Sequence, residues 1–430
     1  METAASFFLL QDPNVTWVVM GVVLICASAA VTGTFTLLRK QALIGDAVAH
    51  SILPGVCIAF MLTGSRHPLV LMTGAFAAGW ISLQAIQYLD TRTKIKGDAA
   101  LALVLSVFYG LGILLLTAIQ RSGLAAQSGL DKFLLGKAAS LVAEDVQVFA
   151  GFAGFLIISL LIAYRPLKIL IFDRAFAQSR GLQVRALDLL LAVLTVTAIS
   201  LGIQAVGVVL MAALLIAPAA AARYWTHDLR VMLVIAAGLA AVSGVAGAYI
   251  SYLMPNMPTG PWIVVALSVG AFLSVLLGTE KGILAAWLRR RRIQARMDRE
   301  NLLKCLYQLG EADGGGFLVP RTREELLARR AIPDAHLNRA IRQLLRLRLL
   351  SRDGARLALT AAGISGGKRI VRLHRLWELY LTTHLLLPAD HVHEDAEAME
   401  HVITPEIEQQ LAHRLDFPAR DPHAAPIPEG

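Results

Sequence analysis

Asp46 and His50 lie four residues apart within 37–55 (LLRKQALIGDAVAHSILPG), a stretch otherwise apolar enough to read as membrane-spanning helix. That spacing puts both side chains on one helix face, about one turn apart, so a carboxylate and an imidazole can reach the same small cation. One helix thereby carries half of a metal site. An ionisable group inside a bilayer segment costs roughly 2.5–3.5 kcal/mol on insertion scales, which makes the pair a functional candidate. The structural alternative is that the two groups only pair with each other or cap a packed helix.

Two further sets of side chains have spacing that chemistry could use. In 392–402 (VHEDAEAMEHV), Glu397, Glu400 and His401 stand at i, i+3 and i+4 on one helix face, which is metal-ligand spacing but equally an ordinary solvated helix face. In 334–350 (DAHLNRAIRQLLRLRLL), Leu337, Ala340, Ile341, Leu344 and Leu345 share an apolar face. His336, Asn338, Arg339, Arg342 and Arg346 are left toward solvent. Such a face could meet nucleic-acid phosphate, or could simply be solvated.

The elements that carry these groups divide into two kinds. With 56% hydrophobic and 17% charged residues, the 430-residue chain is too apolar for an ordinary soluble enzyme and is expected to be an integral membrane protein. Stretches at 16–38, 42–62, 68–88, 99–119, 146–164, 187–203, 206–222, 229–253 and 261–277 are long and apolar enough to cross, giving about nine spans. Only Gln204 separates the sixth from the seventh, so these two could form one kinked or re-entrant element. Placing Arg39-Lys40, Arg92/Lys94/Lys96, the arginines and lysine of 165–185, and Arg223/Arg230 on the cytoplasmic side puts the N-terminus outside and the C-terminus inside.

Charge marks the second kind of segment. Residues 1–280 hold 16 Lys+Arg against 12 Asp+Glu, 281–356 hold 18 against 8, and 357–430 hold 6 against 11, so the basic excess is local. The organisation expected is a membrane domain over 1–280, a basic linker over 281–298, a winged-helix-like domain over 299–364 and a helical segment over 365–430. Helix, turn, helix and hairpin succeed one another from 323 to 360, which is the winged-helix order. The fold class is therefore an all-α polytopic membrane protein with a small α+β winged-helix-like cytoplasmic domain and a helical, metal-sensor-like extension. The three cysteines, Cys26, Cys57 and Cys305, form no disulfide framework, and no cleavable signal peptide precedes the first span.

A short helix is expected between the fifth and sixth spans. In 172–182 (FDRAFAQSRGL), Asp173 suits an N-cap, Ala177 falls mid-helix and Gly181 suits the C′ position. Phe172, Phe176, Arg174 and Arg180 would let it dock into a groove of another protein, although it could be a mere connector. No GxxxxGK[ST] phosphate loop occurs, and the nearest string, 363–368 (GISGGK), has the wrong spacing. The chain is thus not expected to be an enzyme or to bind ATP.

Segment 37–55, the Asp-x3-Ala-x3-Gly string at Asp173, Ala177 and Gly181, and 204–223 (QAVGVVLMAALLIAPAAAAR) together resemble the membrane permeases of the zinc/manganese/iron family of ABC importers, over roughly 10–280. The resemblance implies a bacterial inner-membrane permease paired with a second permease subunit, the same or paralogous. It also implies an ABC ATPase subunit and an extracytoplasmic metal-binding protein. Asp46 and His50 match the family's metal-coordinating positions in the translocation path, and Asp173, Phe176, Ala177 and Gly181 fall in its coupling helix. The cargo would be Mn²⁺, Zn²⁺ or Fe²⁺, for which a mixed oxygen and nitrogen donor set is suited.

The stretch 300–428 resembles the iron- and manganese-dependent repressors. By that resemblance His374, Glu397, Glu400 and His401 correspond to family metal ligands, and Glu378 and His393 to an accessory site. Asn301 and Lys304 occupy positions where the family's first helix supplies further ligands, and a lysine there would repel a cation. An alternative of a different class follows: a membrane-anchored, metal-responsive DNA-binding regulator.

Overall fold

The computed structural model describes residues 7–9, 11–65, 67–121, 136, 138, 141–254, 257–330, 332–388, 392, 396, 397, 399, 401 and 403–429. It divides into two compact units, Met1–Ala286 and Trp287–Gly430.

In the first unit, helix follows from the absence of water: backbone groups in hydrocarbon must bond within their own segment. Asp12 starts α1 (Pro13–Leu38) by accepting the Asn14 N–H at 2.8 Å, with Pro13 at the first helical position, where no N–H is needed. Apolar all round, α1 is the central helix and packs against α6 (Ala143–Ile162), α9 (Val184–Val206), α10 (Val208–Ala222) and α11 (Leu229–Leu253). Its buried Thr32, Thr34 and Thr36 hydroxyls donate to carbonyls one turn back, so no polar atom of theirs is stranded in the core.

The span bearing Asp46 and His50 is broken in two. α2 (Ala42–Ser51) and α3 (Leu53–Thr63) meet at Ile52, with Pro54 in the first turn of α3 lacking the N–H that would continue the ladder. α3 lies against α4 (Pro68–Arg92) through Gly55 and Gly74. A Cβ built on Gly55 would stand 2.1 Å from the Gly74 carbonyl oxygen, so only glycine permits this backbone contact. α5 (Gly97–Arg121) packs on both α2 and α3.

Nine spans were expected, whereas eight helices among the described residues are long and apolar enough to cross. The seventh expected span corresponds to α10, whose 15 residues give about 22 Å, short of a roughly 30 Å hydrocarbon core. α9 and α10 meet at Gly207, with φ +89°, a backbone that L side chains rarely adopt. The chain still goes out and back. α9 begins where Asp188 meets Arg39 and Arg174, and the turn after α10 contacts the end of α12 (Thr259–Leu277), with Glu280 N–H donating to the Tyr224 carbonyl at 3.0 Å. Arg230 lies 5.9 Å from the Tyr164 ring centroid, at the start of α7 (Tyr164–Phe172). The basic turns thus gather at one end of the unit.

In the second unit, α13 (Ile283–Ala312), α14 (Arg323–Arg329), α15 (Asp334–Arg346) and α16 (Ala361–His384) surround a core that includes Leu302, Leu306, Leu326, Leu337, Leu344 and Val371. Between α15 and α16, β1 (Leu350–Asp353) pairs antiparallel with β2 (Arg356–Leu359), Leu350 opposite Leu359, around Gly354 at φ +59°. α17 (Pro405–Arg414) closes the unit, capped by Thr404. Helix, turn, helix and hairpin therefore occur in the expected order.

Candidate functional site

Asp46 and His50 share the open face of α2 with the exposed Leu43, while Ala47, Val48 and Ala49 are buried behind them. His50 Nε2 stands 3.6 Å from Asp46 Oδ1, with the imidazole 21% and the carboxylate 42% exposed. Tyr109 of α5 meets the imidazole edge-on at 5.3 Å and holds its plane. His50 Nδ1 is buried with no hydrogen-bond partner. The pair is too far apart for a hydrogen bond, and Gln41 and Ile52, not these residues, flank α2. Helix capping therefore does not account for them, and their mutual contact is an ion pair by distance without a hydrogen bond. Among the described residues, no third His, Cys, Asp or Glu joins them to make a metal-holding group.

At the basic end of this unit a cleft of about 810 Å³ is lined by Thr36, Arg39, Asp90, Arg174, Asp188 and Thr195, among others. Ile44 and Val48 of α2 reach its wall, but Asp46 and His50 do not. Beside it sits α8 (Arg174–Ser179). Asp173 Oδ1 accepts the Phe176 N–H at 2.8 Å, Ala177 is fully buried, and Gly181 follows the helix at φ +73°. With Ala177 facing in, Phe172 and Phe176 are exposed, and Arg180 lies against the Phe176 ring.

In the second unit, His374 and His401 are buried and turn to α13, Glu378 is buried beside His374, and Glu397 stays part-exposed. His374 Nδ1 lies 3.0 Å from Lys304 Nζ, and His374 Nε2 lies 3.1 Å from Glu378 Oε1. Glu397 receives both terminal nitrogens of Arg330, at 2.9 and 3.2 Å. His401 Nδ1 is 2.5 Å from Glu300 Oε2, and Arg296 Nε donates to the other Glu300 oxygen at 2.8 Å. Burial pushes the Glu300 carboxyl up, but the hydrogen bonds from His401 and Arg296 outweigh it and hold it below the usual carboxylate range. His393 and Glu400 lie outside the described residues.

The basic face of α15 differs from the expectation. His336 is not left to solvent alone: its Nδ1 lies 2.9 Å from Asp298 Oδ2, and its side chain is part-exposed, as is that of Arg339. Asn338 and Arg342 are exposed, although Asn338 Oδ1 accepts from Arg323 at 3.1 Å. Of the four residues expected to contact phosphate, Asn338 and Arg342 are exposed, and His336 and Arg339 are part-exposed.

A family model described as "ABC 3 transport family" matches residues 11–278, more than half of the sequence. The chain belongs to the ABC 3 transport family. A second model, "Iron dependent repressor, metal binding and dimerisation domain", matches 360–429. The manganese transport system membrane protein MntC of Bacillus subtilis (strain 168) is 41% identical over 373 residues, covering 86% of this chain and 85% of that protein. The zinc transport system membrane protein TroC of Treponema pallidum (strain Nichols) is 41% identical over 285 residues, covering 66% and 96%. Among solved structures, PsaBC from Streptococcus pneumoniae in complex with Fab superposes with a TM-score of 0.59 at 27% identity, covering 65% of this chain and 97% of that one.

The ABC 3 match takes in α1 to α12, and the repressor match takes in α16 and α17. Between them, α13 to α15 and the hairpin belong to neither match, and they supply Glu300, Lys304 and Arg330. Sequence reasoning identified Lys304 but missed Arg296, Glu300 and Arg330 as partners. The four-residue steps from Arg296 to Glu300 and from Glu300 to Lys304 were a usable signal, because they place all three along one strip of a helix. Nothing in the sequence pointed to Arg330, 67 positions before Glu397, or to Tyr109 beside His50.

Proposed function

We propose that this ABC 3 family chain is the permease subunit of an ATP-driven importer of a divalent metal, Mn²⁺, Zn²⁺ or Fe²⁺, in the bacterial inner membrane, with its second unit in the cytoplasm. The carrying observation is the Asp46/His50 pair on the open face of α2, with the buried Nδ1 of His50 unpartnered. A second permease subunit facing it would bring a matching pair, giving two carboxylates and two imidazoles around one axis. Such a hard-to-borderline set accepts these three ions, and without a thiolate it does not favour Cu(I). That the two relatives are named as manganese and zinc transport proteins supports the same cargo class.

Energy would come from a separate ABC ATPase docking on the exposed Phe172 and Phe176 around α8, since this sequence has no phosphate loop of its own. Cargo would arrive from an extracytoplasmic metal-binding protein. The basic turns at one end of the membrane unit support placing that end, and the ATPase, in the cytoplasm.

Uptake of Mn²⁺, Zn²⁺ and Fe²⁺ into vesicles reconstituted with the cognate ATPase tests this. Asp46→Ala and His50→Ala are expected to abolish uptake while the ATPase still copurifies. Wild-type uptake by both variants would remove the pair from the path.

A further inference from the structure

The repressor match over 360–429 carries metal binding in its description, yet two of the side chains that would do it, His374 and Glu397, are engaged by cations of the chain itself. Lys304 is among the most buried charged residues, its side chain 3% exposed, with Nζ 3.0 Å from His374 Nδ1 and 4.0 Å from Glu397 Oε1. An ammonium has donors only, so in this contact His374 Nδ1 must give its lone pair to Lys304. The ring proton then resides on Nε2 and is directed at Glu378 Oε1, 3.1 Å away. Neither ring nitrogen keeps a lone pair for a metal.

Of the other described donors, Glu397 is similarly committed. Glu397 takes the planar fork of Arg330 through both oxygens, a geometry suited to a guanidinium and not shared easily with a metal. His401 turns Nδ1 to Glu300. Asn301, one turn before Lys304 on α13, adds a buried Oδ1 without a hydrogen-bond partner, but a neutral amide does not offset two fixed cations. A divalent ion entering this cluster would meet both Lys304 and Arg330.

We infer that Lys304 stands in for the metal: with Arg330, its ammonium joins α13, α16 and Glu397, so this unit holds its arrangement without a divalent ion at the cluster. The second unit is accordingly a metal-independent module, and any signal it passes does not begin with metal occupying these residues.

Hydrogen–deuterium exchange of the 430-residue chain in detergent tests this, with Asp46→Ala and His50→Ala introduced so that the membrane pair takes up no metal. Between millimolar Mn²⁺ and EDTA, exchange in 296–312 and 365–384 is expected to change by less than about twofold. Protection gained with Mn²⁺, or lost in EDTA, by about tenfold overturns the inference. Adding Lys304→Met is expected to speed exchange in both segments equally with and without metal; unchanged exchange would show that the ammonium does not hold them. Adding Asn301→Asp with Lys304→Glu is expected to convert the unit to one whose protection rises about tenfold with Mn²⁺. Should that charge-reversed variant not fold, the Mn²⁺ and EDTA comparison with Lys304 in place decides alone.

Discussion

Arg39 and Asp188 form a 2.6 Å ion pair that ties the end of α1 to the first turns of α9. Arg174, the first residue of α8, grips the other oxygen of the same carboxylate at 2.9 Å. One carboxylate thus links the exposed short helix to the helix that leads, after three residues, into α2. Under the proposed function, motion imposed on α8 would reach the segment before Asp46 and His50 through this carboxylate.

Asp188→Asn leaves the volume but removes the charge that two guanidinium groups share. It is expected to cost about 1–3 kcal/mol locally, because the charge-assisted hydrogen bond from Arg174 and the ion pair with Arg39 are weakened and the arginines repel. Uptake in reconstituted vesicles should fall about tenfold while the ATPase still copurifies. Unchanged uptake would show that this contact transmits nothing.

Gly55→Ala places a methyl group 2.1 Å from the Gly74 carbonyl oxygen, which forces α3 and α4 apart. Overpacking of this kind is expected to destabilise by about 1–3 kcal/mol, read as a lower melting temperature in detergent. Gly151→Ala, where a new Cβ meets nothing within 4 Å, should be neutral or slightly stabilising. Equal melting temperatures for the two would refute the close-contact account.

Phe176→Ala removes an exposed ring from α8 without disturbing the buried Ala177 or the Asp173 cap. Retention of the ATPase on an affinity column should drop about tenfold, with the melting temperature of the permease unchanged. Asp173→Ala should weaken the same retention by removing a cap worth about 1 kcal/mol in a helix of only six residues. Full retention by both would move the docking surface elsewhere.

Burial pushes the Cys305 thiol up, and the nearby Arg329 and Arg330 only partly draw it back. A raised thiol holds less thiolate at any given pH, so alkylation by iodoacetamide at pH 8 should be slow in the native protein and fast once it is unfolded. Peptide mass spectrometry reads both rates. Rapid native labelling would mean that the α13–α14 contact covering Cys305 opens readily.

Hydropathy alone located most spans because a bilayer leaves the backbone no option but internally bonded helix. The cap and stop of α8 were equally legible, since Asp173 and Gly181 act within a few residues of themselves. The elbow at Gly207 was not: it is a change of backbone direction inside a run of apolar side chains, and hydropathy has no term for φ. The Asp46/His50 pair could be read from i, i+4 spacing, but its edge-on contact with Tyr109 joins α2 to α5 across more than fifty residues. The solvent-facing reading of His336 missed its partner for a related reason. Helical periodicity places it on the outer face of α15, and it cannot foresee Asp298 arriving from α13 to claim the ring.

The half-open carboxylate of Asp46 bears on how the subunits are counted. If, as proposed, a second subunit covers this face in the bilayer, a copy without a partner would show the group to lipid, at a cost of about 3 kcal/mol if charged. That is a bias of about a hundredfold against solitary copies. The cargo-handling residues would then double as an assembly checkpoint, since the same chemistry that serves an ion makes an unmatched subunit a poor occupant of the bilayer.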